Sequence, residues 1–228
     1  MNSVIIPAAG SSRRMGEQIN KQFLKLHEKE VIAYTIDIFY KNPLIDEIIL
    51  VINEKDQEDF KRLINTYDYH GIKVVIGGCS RSISVYKGLL KVSKKAKKVL
   101  IHDGARPFLK DEYIKKIINQ LDISASVVMA VKSKDTIKRV DGNHVKETLN
   151  RDELINVQTP QAFKYDVILK AYQWAMDNEI QATDDSALVE KKGYQTTVIL
   201  GDYDNIKITT LEDIKFGEAI LKGRLTCV

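Results

Sequence analysis

Runs rich in Val and Ile recur at residues 3–7, 47–52, 72–76, 97–102 and 125–131, and the stretches between them mostly carry helical spacing. That alternation constrains the fold more than any other feature. Strands joined through helical crossovers lie parallel, and such a sheet is covered by helices on both faces. Helical patterns fit 33–41, where Ile36 and Phe39 share a side, and 81–92, where Val85, Leu89 and Val92 share a face. Others fit 111–121, 164–178, 184–192 and 211–222, and a late strand fits 195–200. The expected class is α/β with a mostly parallel sheet, in a single domain spanning 1–228 without internal repeats or linkers.

The 228 residues suit one domain at a prior of about 150 residues each, and 44% hydrophobic content supplies a core, which excludes disorder. The purest apolar stretch, Ile48–Ile52, is strand-sized and far short of the ~18 residues a membrane span requires. Met1–Pro7 lacks the basic start and long apolar core of a signal peptide and reads as a first strand, so a cytoplasmic protein is expected. Cys79 and Cys227 are far apart and form no metal-spaced cluster, so both are expected as thiols. A net charge of +4 is too small and too dispersed for a nucleic-acid binder. The dense basic run Lys91, Lys94, Lys95, Lys97 and Lys98 reads as a solvated helix end.

One segment interrupts the alternation. Residues 134–149 alternate around Asp141-Gly142, a hairpin signal. An isolated two-stranded ribbon is marginal in water, so this one is expected to act as an arm docking on a second subunit.

In a parallel sheet the strand-to-helix loops emerge at one edge, where ligands bind in open α/β folds. Three unusual loops should therefore converge. The first, Ala8-Ala9-Gly10 through Arg14-Met15-Gly16 and on to Lys21-Gln22-Phe23, combines small residues that let backbone N–H groups approach phosphate with two cations for a polyphosphate. Its glycine spacing fits neither a Walker loop nor a dinucleotide fingerprint, which disfavours a nicotinamide enzyme. The second, Gly77-Gly78-Cys79-Ser80-Arg81-Ser82-Ile83-Ser84, could read a base or ribose through its backbone and Ser84, or simply cap a helix with Ser80 or Ser82. The third is His102-Asp103-Gly104-Ala105-Arg106-Pro107. Asp103 at a strand end is placed to hold magnesium against phosphates, Arg106 to pair with an acid, and His102 to pack. Late in the chain, Asp204 beside Lys207 offers a second carboxylate next to a phosphate-binding cation, and Thr183-Asp184-Asp185 reads as a helix N-cap with acids in the first turn.

Together with Val157-Gln158-Thr159-Pro160-Gln161 and Asn205-Ile206-Lys207-Ile208-Thr209, these loops resemble the 2-C-methyl-D-erythritol 4-phosphate cytidylyltransferases over nearly the whole chain. The resemblance implies a Rossmann-like sheet of the nucleotidyltransferase type and transfer of cytidylyl from CTP to methylerythritol phosphate. It implies that Arg14 and Lys21 contact the triphosphate and stabilise the transition state, and that Ala8, Ala9, Gly10, Gly78 and Ser84 frame cytosine and ribose. Asp103 would hold Mg2+, with Asp204 assisting, and Thr136, Arg151, Thr159, Thr183 and Lys207 would surround the polyol phosphate. In the family the arm brings the Thr136 position in from the other subunit of a homodimer. Asn20 and Leu211 stand where the family carries proline. Gly104-Ala105-Arg106-Pro107 and Asp184-Asp185-Ser186-Ala187 favour this branch over the related ribitol-5-phosphate enzymes. A CTP-binding module without turnover is the alternative from another class.

Overall fold

A computed structural model of the chain describes residues 1–10 and 21–226, with no side-chain description for Lys21 or for residues 225–226. The elements run β1 (Asn2–Pro7), β2 (Lys25–Leu26), β3 (Lys29–Glu30), α1 (Val31–Tyr40), β4 (Glu47–Ile52), α2 (Gln57–Thr66), β5 (Lys73–Ile76), α3 (Arg81–Leu89) and β6 (Lys98–Ile101). Then come α4 (Asp111–Gln120), β7 (Ser126–Lys132), β8 (Lys138–Asp141), β9 (His144–Thr148), β10 (Ile155–Lys164), α5 (Tyr165–Asp177), α6 (Asp185–Lys191), β11 (Thr196–Leu200) and α7 (Leu211–Thr226).

The main sheet has the order β11-β7-β10-β6-β1-β4-β5. β1 pairs in parallel with β4 and β6, β4 with β5, and β7 with β11, whereas β10 runs antiparallel to both β6 and β7. Strand side chains alternate between faces, and β1 shows the result. Val4 and Ile6 join α1 through Ile32 and Ile36, α2 through Phe60 and α4 through Ile114, while Ile5 joins α3 through Val85 and Leu89, α5 through Ile168 and α6 through Leu188. The helices thus cover both faces, as the alternation requires. Each fully buried Val or Ile contributes roughly 1.5–3 kcal/mol, so slipping β1 by one residue would turn both layers inside out. Glu47, buried where β4 begins, is compensated by Lys73 Nζ at 2.6 Å and the Ser3 hydroxyl at 2.6 Å.

Besides the two-residue strands β2 and β3, two longer elements lie outside the ranges that the sequence pattern assigns. The α2 helix buries Phe60 and Leu63 on an otherwise polar surface. The β10 strand is obscured by Pro160 and by the polar residues Gln158, Thr159 and Gln161, yet residues 158–163 are buried. Proline is tolerated because the register of β10 against β7 shifts between Val157 and Gln161, where ladder bonds are already interrupted.

Strands β8 and β9 form their own two-stranded sheet, closed by a turn in which Gly142 takes φ +54. Every residue of both strands is exposed, so the ribbon does not lie back on its own domain. None of the described helices is long and apolar enough to cross a membrane.

Candidate active site

The three loops converge. A cavity of about 560 Å³ opens at the carboxyl edge of the sheet, lined by Ala9 and Gly10 after β1, by Gly78 through Arg81 after β5, by Asp103 through Ala105 after β6, and by Ser84 and Lys207. Arg14 lies outside the described residues, as does the side chain of Lys21.

The glycine loop is shaped from within. A Cβ on Gly78 would sit 2.2 Å from Cγ2 of Ile83, so any side chain would force the loop off α3. Ser80 caps α3, accepting from the Ile83 N–H at 3.2 Å. The Ser84 hydroxyl accepts from the Gly78 N–H at 3.0 Å and donates to the Ser80 carbonyl at 2.8 Å. Ser84 thus both lines the cavity and braces the loop beside it.

Asp103 is the electrostatic centre. Its Oδ2 lies 2.7 Å from Lys207 Nζ and 3.8 Å from Arg106 Nε, and its Oδ1 lies 3.4 Å from the Arg81 guanidinium. Arg81 in turn forks onto Asp185, which is fully buried, at 2.9 and 2.8 Å. Burial would raise the Asp103 carboxyl, but Arg81, Lys207 and Arg106 together hold it well below the usual carboxylate range. Burial likewise opposes the charge on Arg81, and Asp185 and Asp103 outweigh it, raising the guanidinium further. Among the described residues, three cations against two carboxylates leave this wall one charge positive, which favours an anionic ligand.

Arg81 escaped the sequence reading as a site residue, and Asp185 appeared there only as a first-turn acid. The signal was present: Arg81 opens a helix, where the dipole disfavours a cation, so it needs an acid nearby.

His102 packs as expected, edge-on against Phe39, with Nδ1 on the Thr159 hydroxyl at 3.1 Å and Nε2 on the Arg106 carbonyl at 2.9 Å. Desolvation pushes its pKa down to about 4. The ring is therefore neutral when folded, while the unfolded chain takes up a proton near the ordinary value of 6.5. Stability is complete above the unfolded value and falls as pH drops toward 4, which between pH 7 and 5 amounts to about 2 kcal/mol. Denaturant unfolding at the two pH values should show this drop and should lose it in His102→Gln.

The polar residues of β10 brace the site. Thr159, buried, accepts from the Asp103 N–H at 3.1 Å. The same hydroxyl also meets His102 Nδ1, so it fastens the Asp103 loop from two sides. Gln161 ties down the start of α6, donating to Asp184 Oδ2 at 2.8 Å and accepting from the Ser186 N–H at 2.9 Å. Asn205 donates to the Thr159 carbonyl at 2.9 Å and accepts through its own carbonyl from Arg106 at 2.7 Å. The cap expected of that segment falls on Asp184, which accepts from the Ala187 N–H, so that Asp185 is the one acid in the first turn of α6.

Four other expected residues do not line this cavity. Thr136 and Thr183 are exposed and neither lines the cavity. Arg151, also exposed, donates to the Lys134 carbonyl at 3.2 Å, fastening the base of the arm. Asp204 is not among the lining residues either, and its N–H is engaged by Asp202 Oδ1 at 3.1 Å. Among the described residues no group of three His, Cys, Asp or Glu side chains could cage a metal. Asp103 is the one carboxylate among the described residues that line the cavity, and a magnesium ion takes one or two carboxylates and completes its shell with phosphate and water.

The family model for 2-C-methyl-D-erythritol 4-phosphate cytidylyltransferase matches residues 2–223. A relative of that name from Clostridioides difficile is 49% identical over 222 residues, covering 97% of this chain and 94% of its own. Another from Bacillus velezensis is 43% identical, covering 96% and 95%. The solved structure of 4-diphosphocytidyl-2C-methyl-D-erythritol synthase from Anaerococcus prevotii superposes with a TM-score of 0.88 at 39% identity, covering 97% of this chain and 98% of that one. Sequence, fold and a basic cleft at the carboxyl edge of the sheet agree: this chain belongs to the 2-C-methyl-D-erythritol 4-phosphate cytidylyltransferase family.

Proposed function

We propose that the chain transfers the cytidylyl group of CTP to 2-C-methyl-D-erythritol 4-phosphate, releasing pyrophosphate, and that it works as a homodimer with magnesium. The observation that carries this reading is family membership over nearly the full chain, joined to a cleft in which Asp103, the one carboxylate among the described lining residues, is ringed by cations.

The chemistry needs no general base. A phosphate monoester has a second pKa of about 6, so the nucleophile arrives largely as a dianion. The histidine nearest the cleft agrees with that, since His102 is buried and held neutral. The protein's work is to align two anions and offset their repulsion. Gly78 and the loop braced by Ser84 would receive the nucleoside together with Ala8, Ala9 and Gly10, of which Ala9 and Gly10 line the cavity and Ala8 is buried behind it. Lys207 would hold the incoming phosphate, and Arg14 and Lys21 the triphosphate. Magnesium bound by Asp103 and the phosphates would supply further charge stabilisation at the α-phosphate and the departing pyrophosphate. The exposed arm, with Val140 61% and Val145 57% accessible, would dock on a second subunit and bring Thr136 to that subunit's pocket.

Pyrophosphate release with CTP and each of the two polyol phosphates tests the assignment. Turnover with methylerythritol phosphate is expected; preference for ribitol 5-phosphate would move the chain to the related branch, and CTP binding without release would make it a binding module. Lys207→Ala should raise KM for the polyol phosphate by about 10–100-fold, the worth of a charge-assisted hydrogen bond, with a smaller change for CTP. Equal losses for both substrates in steady-state titrations would restrict Lys207 to its pairing with Asp103.

A further inference from the structure

Arg81 lines the cleft, yet its four hydrogen bonds run to carboxylates: two to Asp185, and two, each at 3.4 Å, to Oδ1 of Asp103. A guanidinium spent in this way has little donor capacity left for a nucleotide, so its role is to set the direction of Asp103. The anchor behind it is Asp185. That carboxylate is fully buried, receives the Tyr172 hydroxyl from α5, and sits at the first position of α6, where the Asp184 cap and Gln161 fix the backbone. Lys207 and Arg106 hold Oδ2 of Asp103, while Thr159 holds its N–H and Arg81 its Oδ1, and these last two supports trace back to β10 and the α6 start that it secures.

A buried ion pair is not in itself a stabilising element, since hydrophobic replacements are often neutral or better. The Asp185–Arg81 fork ends on the cleft's one candidate metal ligand, which gives it a functional use. We propose that Asp185 is a positioning residue for nucleotidyl transfer, acting through Arg81 on the carboxylate of Asp103.

The proposal rests on the function given above, and the experiment separates the two. Wild-type pyrophosphate release from CTP and methylerythritol phosphate reports on the function, while the ratio of each variant to wild type reports on Asp185. Arg81→Lys keeps the charge but cannot fork onto Asp185 while reaching Asp103. It should lower kcat by about 10-fold or more, the usual cost of losing a group that orients a ligand, with KM for CTP within about 3-fold of wild type. Asp185→Asn should lower kcat by a comparable factor. The double variant should fall no more than about 2-fold below the weaker single one, because the two residues act in series. Thermal unfolding of each variant checks that the fold persists. Since the Arg81 side chain is 36% accessible, Arg81→Lys decides the matter alone should Asp185→Asn not fold. Near wild-type kcat in folded Arg81→Lys, a raised KM for CTP at unchanged kcat, or multiplicative losses in the double variant would each overturn the proposal.

Discussion

Asp103→Asn should lower kcat for pyrophosphate release by at least ~10²-fold, the equivalent of about 3 kcal/mol of transition-state stabilisation. The same change should also weaken the fold. Asp103 follows a strand in a loop, from which a functional cost alone would be expected, but its side chain is only 11% accessible and faces Arg81, Arg106 and Lys207. Neutralising it leaves three cations without their common partner, and breaking a buried pair in this way costs about 3 kcal/mol. A domain with 5–15 kcal/mol of stability, roughly the usual range, remains folded after that loss. Chemical denaturation and turnover, measured on one preparation, should therefore both respond. Unchanged stability would mean that the cations are solvated independently of Asp103, and near wild-type turnover in magnesium would remove Asp103 from the chemistry.

Mixing Thr136→Ala subunits with Arg14→Ala subunits, each weakly active as a homodimer, should restore activity to roughly a quarter of wild type, given independent sites. The reasoning begins with the arm. A two-stranded ribbon is marginal by itself, and every residue of β8 and β9 is exposed, as is Thr136 at the base of the arm. In the proposed dimer, the pocket with intact Arg14 belongs to the Thr136→Ala chain and receives Thr136 from the Arg14→Ala chain. One of the two pockets in each mixed dimer is then whole, and random exchange makes about half of the dimers mixed. Co-purification of differently tagged subunits establishes exchange. Activity that stays at the parental level after confirmed exchange would show that Thr136 serves its own chain.

The sheet and its helical layers were legible because their signals are local. Unbroken apolar runs within 3–7 and 47–52 mark strands buried on both faces, and Ile36, Phe39, Val85 and Leu89 recur at helical spacing, so burial follows from local pattern. The hairpin that turns at Gly142 was legible from an equally local signal, the alternation around Asp141-Gly142. The convergence of the loops after β1, β5 and β6 followed from parallel topology, without knowledge of any distant contact. Strand β10 was hidden because its polar residues look like a loop until their partners are known. Gln158, Thr159 and Gln161 are tolerated inside only because Asn205, Asp103, Asp184 and Ser186 supply hydrogen bonds from segments remote in sequence. The same holds for the charges of the cleft. The sequence determined that Asp103 stands at a strand end and Lys207 in a late loop; only the tertiary structure decided that Arg81 and Asp185, 104 residues apart, meet beside them. Charges are worth little in water and much when desolvated together, and which of them share a buried site is set by packing rather than by local pattern.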